Sequence, residues 1–83
     1  MIFEIIWKEN ALKDLQKLDS FISIRIIKKI DELKENPFLR DIKRLKGLNF
    51  YRLRVGDYRI IFEIFDKKLI IFKIGHRKNI YDF

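Results

Sequence analysis

Residues 50–59 read F-Y-R-L-R-V-G-D-Y-R, with apolar and basic side chains alternating at period two up to Gly56-Asp57 and resuming at Tyr58-Arg59. Gly supplies the positive φ that a type II′ turn needs at its first central position, so the stretch predicts a two-residue β-hairpin. That turn sets Val55 opposite Tyr58, Arg54 opposite Arg59 and Leu53 opposite Ile60. Strand alternation then places Arg52, Arg54 and Arg59 on one face. Tyr51, Leu53, Val55, Tyr58, Ile60 and Phe62 take the other face. Like charges facing each other across a hairpin cost stability. Three guanidinium groups on one sheet face therefore point to an anion that binds there.

Downstream, a strand from Tyr58 to Phe65 meets another from Leu69 to Gly75. A two-residue turn at Asp66-Lys67 would align Lys73 with Ile60 on the core face. A three-residue loop instead pairs Phe65 with Leu69, Ile64 with Ile70, Phe62 with Phe72 and Ile60 with Ile74. It buries Ile70, Phe72 and Ile74 and leaves Lys73 outside, so hydrophobic patterning favours it. The same count sends Gly75 and Arg77 to the arginine face and turns His76 away from it. Ile61, Phe65, Leu69 and Ile71 would share the arginine face, an unusual amount of apolar surface. The tail K-N-I-Y-D-F is short enough to fold back along the sheet edge.

Upstream, I-F-E-I-I-W at 2–7 reads as a strand with Phe3, Ile5 and Trp7 inward, because the opposite set would bury Glu4 unpaired. A helix follows from Asn10, its expected N-cap, to Leu18, with Ala11, Leu12, Leu15 and Leu18 as its stripe. A second runs from Phe21 to Glu35, with Ile22, Ile26, Ile30 and Leu33 at helical spacing and Ile27 widening the stripe. Ile24 falls off that stripe beside Phe21, either packing on the first helix or exposed for a partner. Asn36-Pro37 stops the helix. Residues 38–49 form a basic connection anchored by Leu45 and Leu48 and bent at Gly47. The result is an α+β fold of order β-α-α-β-β-β over one domain, residues 1–83: an antiparallel sheet with a two-helix hairpin packed on one face.

The net charge of +7 is unevenly distributed. Residues 1–39 balance, whereas residues 40–59 carry Arg40, Lys43, Arg44, Lys46, Arg52, Arg54 and Arg59 against Asp41 and Asp57. A local excess of this kind is the footprint of a polyanion partner. The absence of Cys excludes disulfides and thiolate metal sites, and a single His makes metal chemistry improbable. No apolar run approaches the roughly 20 residues of a membrane span. The N-terminus, with Glu4 in its apolar run and no small-residue cleavage site, does not read as a signal peptide, so a cytoplasmic protein is expected. No phosphate loop, Ser-His-Asp set or paired catalytic carboxylates are present.

The run L-K-G-L-N-F-Y-R-L-R-V-G-D-Y-R-I-I-F-E-I at 45–64, together with G-H-R-K-N-I-Y at 75–81, resembles the RelE/ParE toxin superfamily, in particular the RelE branch of type II toxin–antitoxin systems. The resemblance implies the same element order, a RelB-like antitoxin partner, and cleavage of mRNA in the ribosomal A site through attack of a ribose 2′-OH on the adjacent phosphate. It implies no cofactor. By position it carries Arg59, Arg77 and Tyr81 as catalytic candidates. Arg52 and Arg54 match the family's basic residues before the turn and, with Lys43, Arg44 and Lys46, make the expected RNA-phosphate contacts. Guanidinium forks suit non-bridging phosphate oxygens, and Arg cannot act as a base near neutrality. Tyr81 is expected either as the base or as a stacking platform. His76 is a further possible participant, which the register turns away from the arginines. A ParE-like gyrase inhibitor without nuclease activity is the alternative on the same fold.

Overall fold

The computed structural model describes residues 2–36, 42–45 and 49–80. Along the chain lie β1 (Glu4–Trp7), α1 (Glu9–Gln16), α2 (Ser20–Leu33), β2 (Ile42–Arg44), β3 (Phe50–Val55), β4 (Tyr58–Phe65) and β5 (Lys68–His76). The strands form one sheet in the order β1-β5-β4-β3-β2. Every neighbouring pair is antiparallel except β1 and β5, which run parallel with Glu4 opposite Lys68. No helix among the described residues is long and apolar enough to cross a membrane.

Both helices pack on the sheet face that carries Leu53, Val55, Ile60, Phe62, Leu69, Ile71 and Ile74. From α1 the core takes Ala11, and from α2 it takes Ile26, Ile30 and Leu33, all essentially inaccessible to solvent. Burying a side chain of that size contributes about 1.5–3 kcal/mol, so this layer supplies the main drive for folding. Phe3, Ile5 and Trp7 of the β1 segment pack against it while Glu4 stays exposed, as the argument from an unpaired carboxylate required. Ile22, Leu15 and Leu18 line the margin. Leu12 and Ile27 prove exposed, because a sheet covers a narrower arc of each helix than the apolar stripe spans. Phe21 and Ile24 are exposed as well. Asn10 does not cap α1, which begins one residue earlier with Lys8 at the N-cap position.

The β3–β4 hairpin has the register read from the sequence, with Arg54 opposite Arg59 and Val55 opposite Tyr58. Gly56 has φ +58° and Asp57 is not in the positive-φ region, the sign pattern of a type II′ turn.

The β4–β5 hairpin keeps the expected register at Ile60–Ile74 and departs from it toward the Asp66-Lys67 turn. Its loop is the two-residue Asp66-Lys67, with φ +50° and +61°, so both residues adopt the left-handed conformation of a type I′ turn. Ile64 therefore faces Leu69 and Phe62 faces Ile71, which places Leu69 and Ile71 in the core and Ile70 and Phe72 outside it. A β-bulge then shifts the register, so that Ile61 faces Lys73 and Ile60 faces Ile74. Inserting one residue reverses the alternation, which keeps Lys73 off the core face without a longer loop. Asp14 of α1 reaches this place. Its Oδ2 accepts a hydrogen bond of 3.0 Å from the Ile74 N–H, just beyond the stretch of β5 that β1 pairs.

Residues 42–44 of the expected connection form β2, an edge strand of three residues on β3. Leu45 donates its N–H to the Phe50 carbonyl at 2.9 Å. Gly47 and Leu48 lie outside the described residues. Beyond β5 the chain turns back, and Ile80 settles against Gly75, where a Cβ would stand 3.2 Å from the Ile80 Cδ1. Ile80 thus covers the sheet face rather than its edge. Ile61, on the arginine face, and Ile80 are both buried yet lie outside the main core cluster.

Candidate active site around the β3–β4 turn

The arginine face assembles from three strands. Arg52 faces Lys43 across β2–β3, and Arg54 faces Arg59 across β3–β4. Two like-charge cross-strand pairs on one face cost stability twice. Arg44 faces Tyr51, which places it on the opposite face and away from the other cations. The reading of the connection as a uniform basic flank fails at that residue, because a strand alternates its side chains and a loop does not. Lys46 and Tyr81 lie outside the described residues.

Arg59 folds back on the hairpin. Its Nη1 donates to the Gly56 carbonyl at 3.0 Å and to the Tyr58 carbonyl at 2.9 Å. Arg77, just past β5, reaches the same turn. Its backbone N–H donates to the Asp57 carbonyl at 2.7 Å, and its Nε lies 3.7 Å from Asp57 Oδ1. The ion pair is exposed and long, so solvent screens it heavily. Gly75 stands opposite Arg59. Ile80 rests on Gly75, on the same face as Arg59.

His76 faces Tyr58 and meets its ring edge-on at 5.4 Å between centroids. Its Nδ1 accepts a 3.2 Å hydrogen bond from the Lys78 N–H, and its carbonyl accepts another from Asn79. The imidazole thus organises the turn after β5 from the face that Tyr58 occupies, away from the arginines.

One cation at this turn escaped the sequence reading. Arg25 of α2 places both guanidinium Nη atoms 3.5 Å from where a Gly56 Cβ would stand. Its helix looked charge-balanced, and only the packing of α2 against β3 brings it here. A signal was available: Arg25 is the one Arg before residue 40, with Lys28 and Lys29 three and four positions on.

A cavity of about 450 Å³ opens between β1 and α2 and is lined chiefly by apolar side chains such as Phe3, Trp7 and Ile30. Its one cation, Lys34, is paired with Asp31 at 2.9 Å, so it offers an anion nothing comparable to the turn. Among the described residues no three His, Cys, Asp or Glu gather as metal ligands.

Comparisons with known proteins bear on the family and the fold. The sequence model of the ParE toxin of the type II toxin–antitoxin system matches residues 5–81. The chain is 36% identical to Toxin RelE3 of Methanocaldococcus jannaschii, covering 96% of this chain and 97% of that protein. It is 31% identical to the mRNA interferase toxin RelE of Escherichia coli, over 95% of this chain and 85% of that one. The archaeal RelE–RelB complex from Pyrococcus horikoshii contains a chain that superposes with a TM-score of 0.84 at 30% identity, covering 95% of this chain and 99% of that chain.

Proposed function

This chain belongs to the RelE/ParE superfamily of toxins from type II toxin–antitoxin systems, and from that premise we propose that it is a ribosome-dependent mRNA interferase held inactive by a RelB-like antitoxin. The observation that carries the reading is the convergence of Arg59 and Arg77 on one turn, beside the Arg54–Arg59 and Lys43–Arg52 cross-strand pairs. The E. coli relative is named an mRNA interferase, and the similar solved structures include toxin–antitoxin complexes.

In the proposed reaction a ribose 2′-OH attacks the adjacent phosphorus. A 2′,3′-cyclic phosphate forms, the bond to the 5′-oxygen breaks, and that oxygen takes up a proton. Negative charge grows on the non-bridging oxygens, where Arg59 and Arg77 stabilise it. Arg77 also donates a hydrogen bond toward the leaving oxygen, and to do so its guanidinium exchanges the weak Asp57 contact for phosphate. Arg52, Arg54 and Lys43 hold the flanking backbone. Tyr81 is the candidate to accept the 2′ proton or to stack on a base. His76 acts by positioning the turn, not by exchanging protons. No step in this scheme requires a metal ion.

The test is codon-resolved toeprinting of ribosomes on a model mRNA, with Arg59→Ala and Arg77→Ala as separate variants. Removing a preorganised donor of this kind lowers the rate by about 10²–10³. Wild-type cuts within the A-site codon that vanish in both folded variants are the expected result, and undiminished cutting in both would refute the assignment. The matching family model carries the ParE description, which sustains a second reading as a gyrase inhibitor. Inhibition of DNA supercoiling with no mRNA cuts would select that one.

A further inference from the structure

Beside the β3–β4 turn an open cleft of about 270 Å³ separates α2 from the end of β3. Arg25, Lys28, Lys29 and Arg54 line it with the Gly56 backbone, opposed by the single carboxylate of Glu32. Arg25, Lys28 and Lys29 stand at i, i+3 and i+4, so three like charges share one helix face at a cost of a few tenths of a kcal/mol per pair. None of the three, nor Glu32, has a hydrogen-bond or ion-pair partner among the described residues. The Arg25 guanidinium and the Arg59 guanidinium lie on two sides of one residue, the first over the Gly56 Cα and the second on its carbonyl.

We propose that this cleft is a second RNA-phosphate site, in which Arg25 and Lys28, with Lys29 and Arg54, grip the phosphodiester backbone of a strand whose scissile linkage lies at Arg59 and Arg77. The inference rests on the RNA-binding part of the function proposed above. Several features select RNA as the occupant. The cleft is continuous through Gly56 with the arginine face, and a phosphate chain is a continuous line of charge. The cleft is open rather than enclosed, as a backbone track must be. A strand passing the turn would exchange one set of cations for the next without leaving the protein. An acidic protein segment has the same sign of charge and is the outcome that the experiment must exclude.

The test measures binding, not cleavage, so it stands apart from the ribosome assay. Fluorescence anisotropy follows a labelled 12-nucleotide single-stranded RNA binding to the Arg77→Ala protein over a range of salt. Each phosphate contact on a single strand contributes about 0.7 to the slope of log K against log salt. Arg25→Gln with Lys28→Gln should lower that slope by about 1.4 and weaken binding about 10–30-fold at 0.1 M salt. Gln is a good helix former at exposed positions, and a urea midpoint confirms folding. Glu32→Gln, which removes the opposing carboxylate, should tighten binding a few-fold. Lys13→Gln with Lys17→Gln removes the same charge from α1, which packs on β5, and should leave the slope within about 0.3 of the parent.

An unchanged slope in the Arg25/Lys28 variant overturns the proposal. So does an equal loss in the Lys13/Lys17 variant, which would mark a net-charge effect. So does an oligo-glutamate peptide of matching charge whose binding depends on Arg25 and Lys28 when that of the RNA does not.

Discussion

Replacing Asp14 by Ala probes whether a single helix side chain holds the bulged strand in place. Asp14 Oδ2 accepts the Ile74 N–H at 3.0 Å, and Ile74 is 4% exposed. With the carboxylate gone, that N–H has no strand partner in β1, whose pairing ends at Ile71. Leaving a buried donor unsatisfied costs about 1–3 kcal/mol, and a charged acceptor places the loss toward the upper half. Ala returns about 0.5 kcal/mol because it is a better helix former than Asp in the middle of α1. The net expectation is a destabilisation of about 1.5–2.5 kcal/mol, or a fall in Tm of about 10 °C for a domain of this size. Asp14→Asn keeps an oxygen in the same place without its charge and should recover about half of the loss. Lys13→Ala, which breaks an exposed pair with Glu9 at 3.3 Å, is the local control and should cost under about 0.5 kcal/mol. Urea unfolding followed by circular dichroism gives the free energies, and amide exchange at Ile74 reports the bond itself. If Asp14→Ala unfolds within about 0.5 kcal/mol of the parent with Ile74 still protected, the bond is not what secures the bulge.

Two further substitutions bear on the turn. Gly56→Ala forces a side chain into φ +58° at a cost of about 1–2 kcal/mol, partly offset by a stiffer unfolded chain. The new Cβ meets Arg25 only at ordinary contact distance, so thermal unfolding should show a loss near 1 kcal/mol. A larger loss would mean that the turn tolerates no Cβ for some other reason. Asp57→Asn removes the carboxylate that occupies Arg77 across an exposed 3.7 Å pair. Stability should move by less than about 0.5 kcal/mol while RNA affinity rises a few-fold by anisotropy, and weaker RNA binding would contradict the competition inferred between Asp57 and phosphate.

The parts of the fold that were legible in the sequence are those set by local geometry. Gly56 fixes the β3–β4 turn, the turn fixes the register, and the register puts Arg52, Arg54 and Arg59 on one face and turns His76 from them. The β4–β5 register holds at Ile60–Ile74 and fails between the bulge and the turn, because one integer was assumed for the whole strand pair. The strands have two, separated by a bulge whose partner, Asp14, lies 60 residues away in the chain. β2 spans only three residues, too few for a period to declare itself, so Lys43 and Arg44 could not be assigned to different faces beforehand. Arg25 joined the turn through tertiary packing alone. The apolar residues beside the arginines changed identity: Leu69 and Ile71 are core, Ile70 and Phe72 lie outside it instead, and Ile80 closes part of that face.

The parallel pairing of β1 with β5 has a consequence for timing. Glu4 aligns with Lys68, so among the described residues β1 has a single strand neighbour, β5, more than sixty residues further along the chain. Closing so long a loop is entropically late, and parallel pairing between distant segments is intrinsically slow. During synthesis the β3–β4 hairpin emerges before β5 can dock between β4 and β1, and Arg77 follows β5. A growing chain therefore displays cationic side chains before it possesses an ordered site. Until β5 docks, the ribosome that makes the protein works beside a segment that is basic but not yet folded into its sheet.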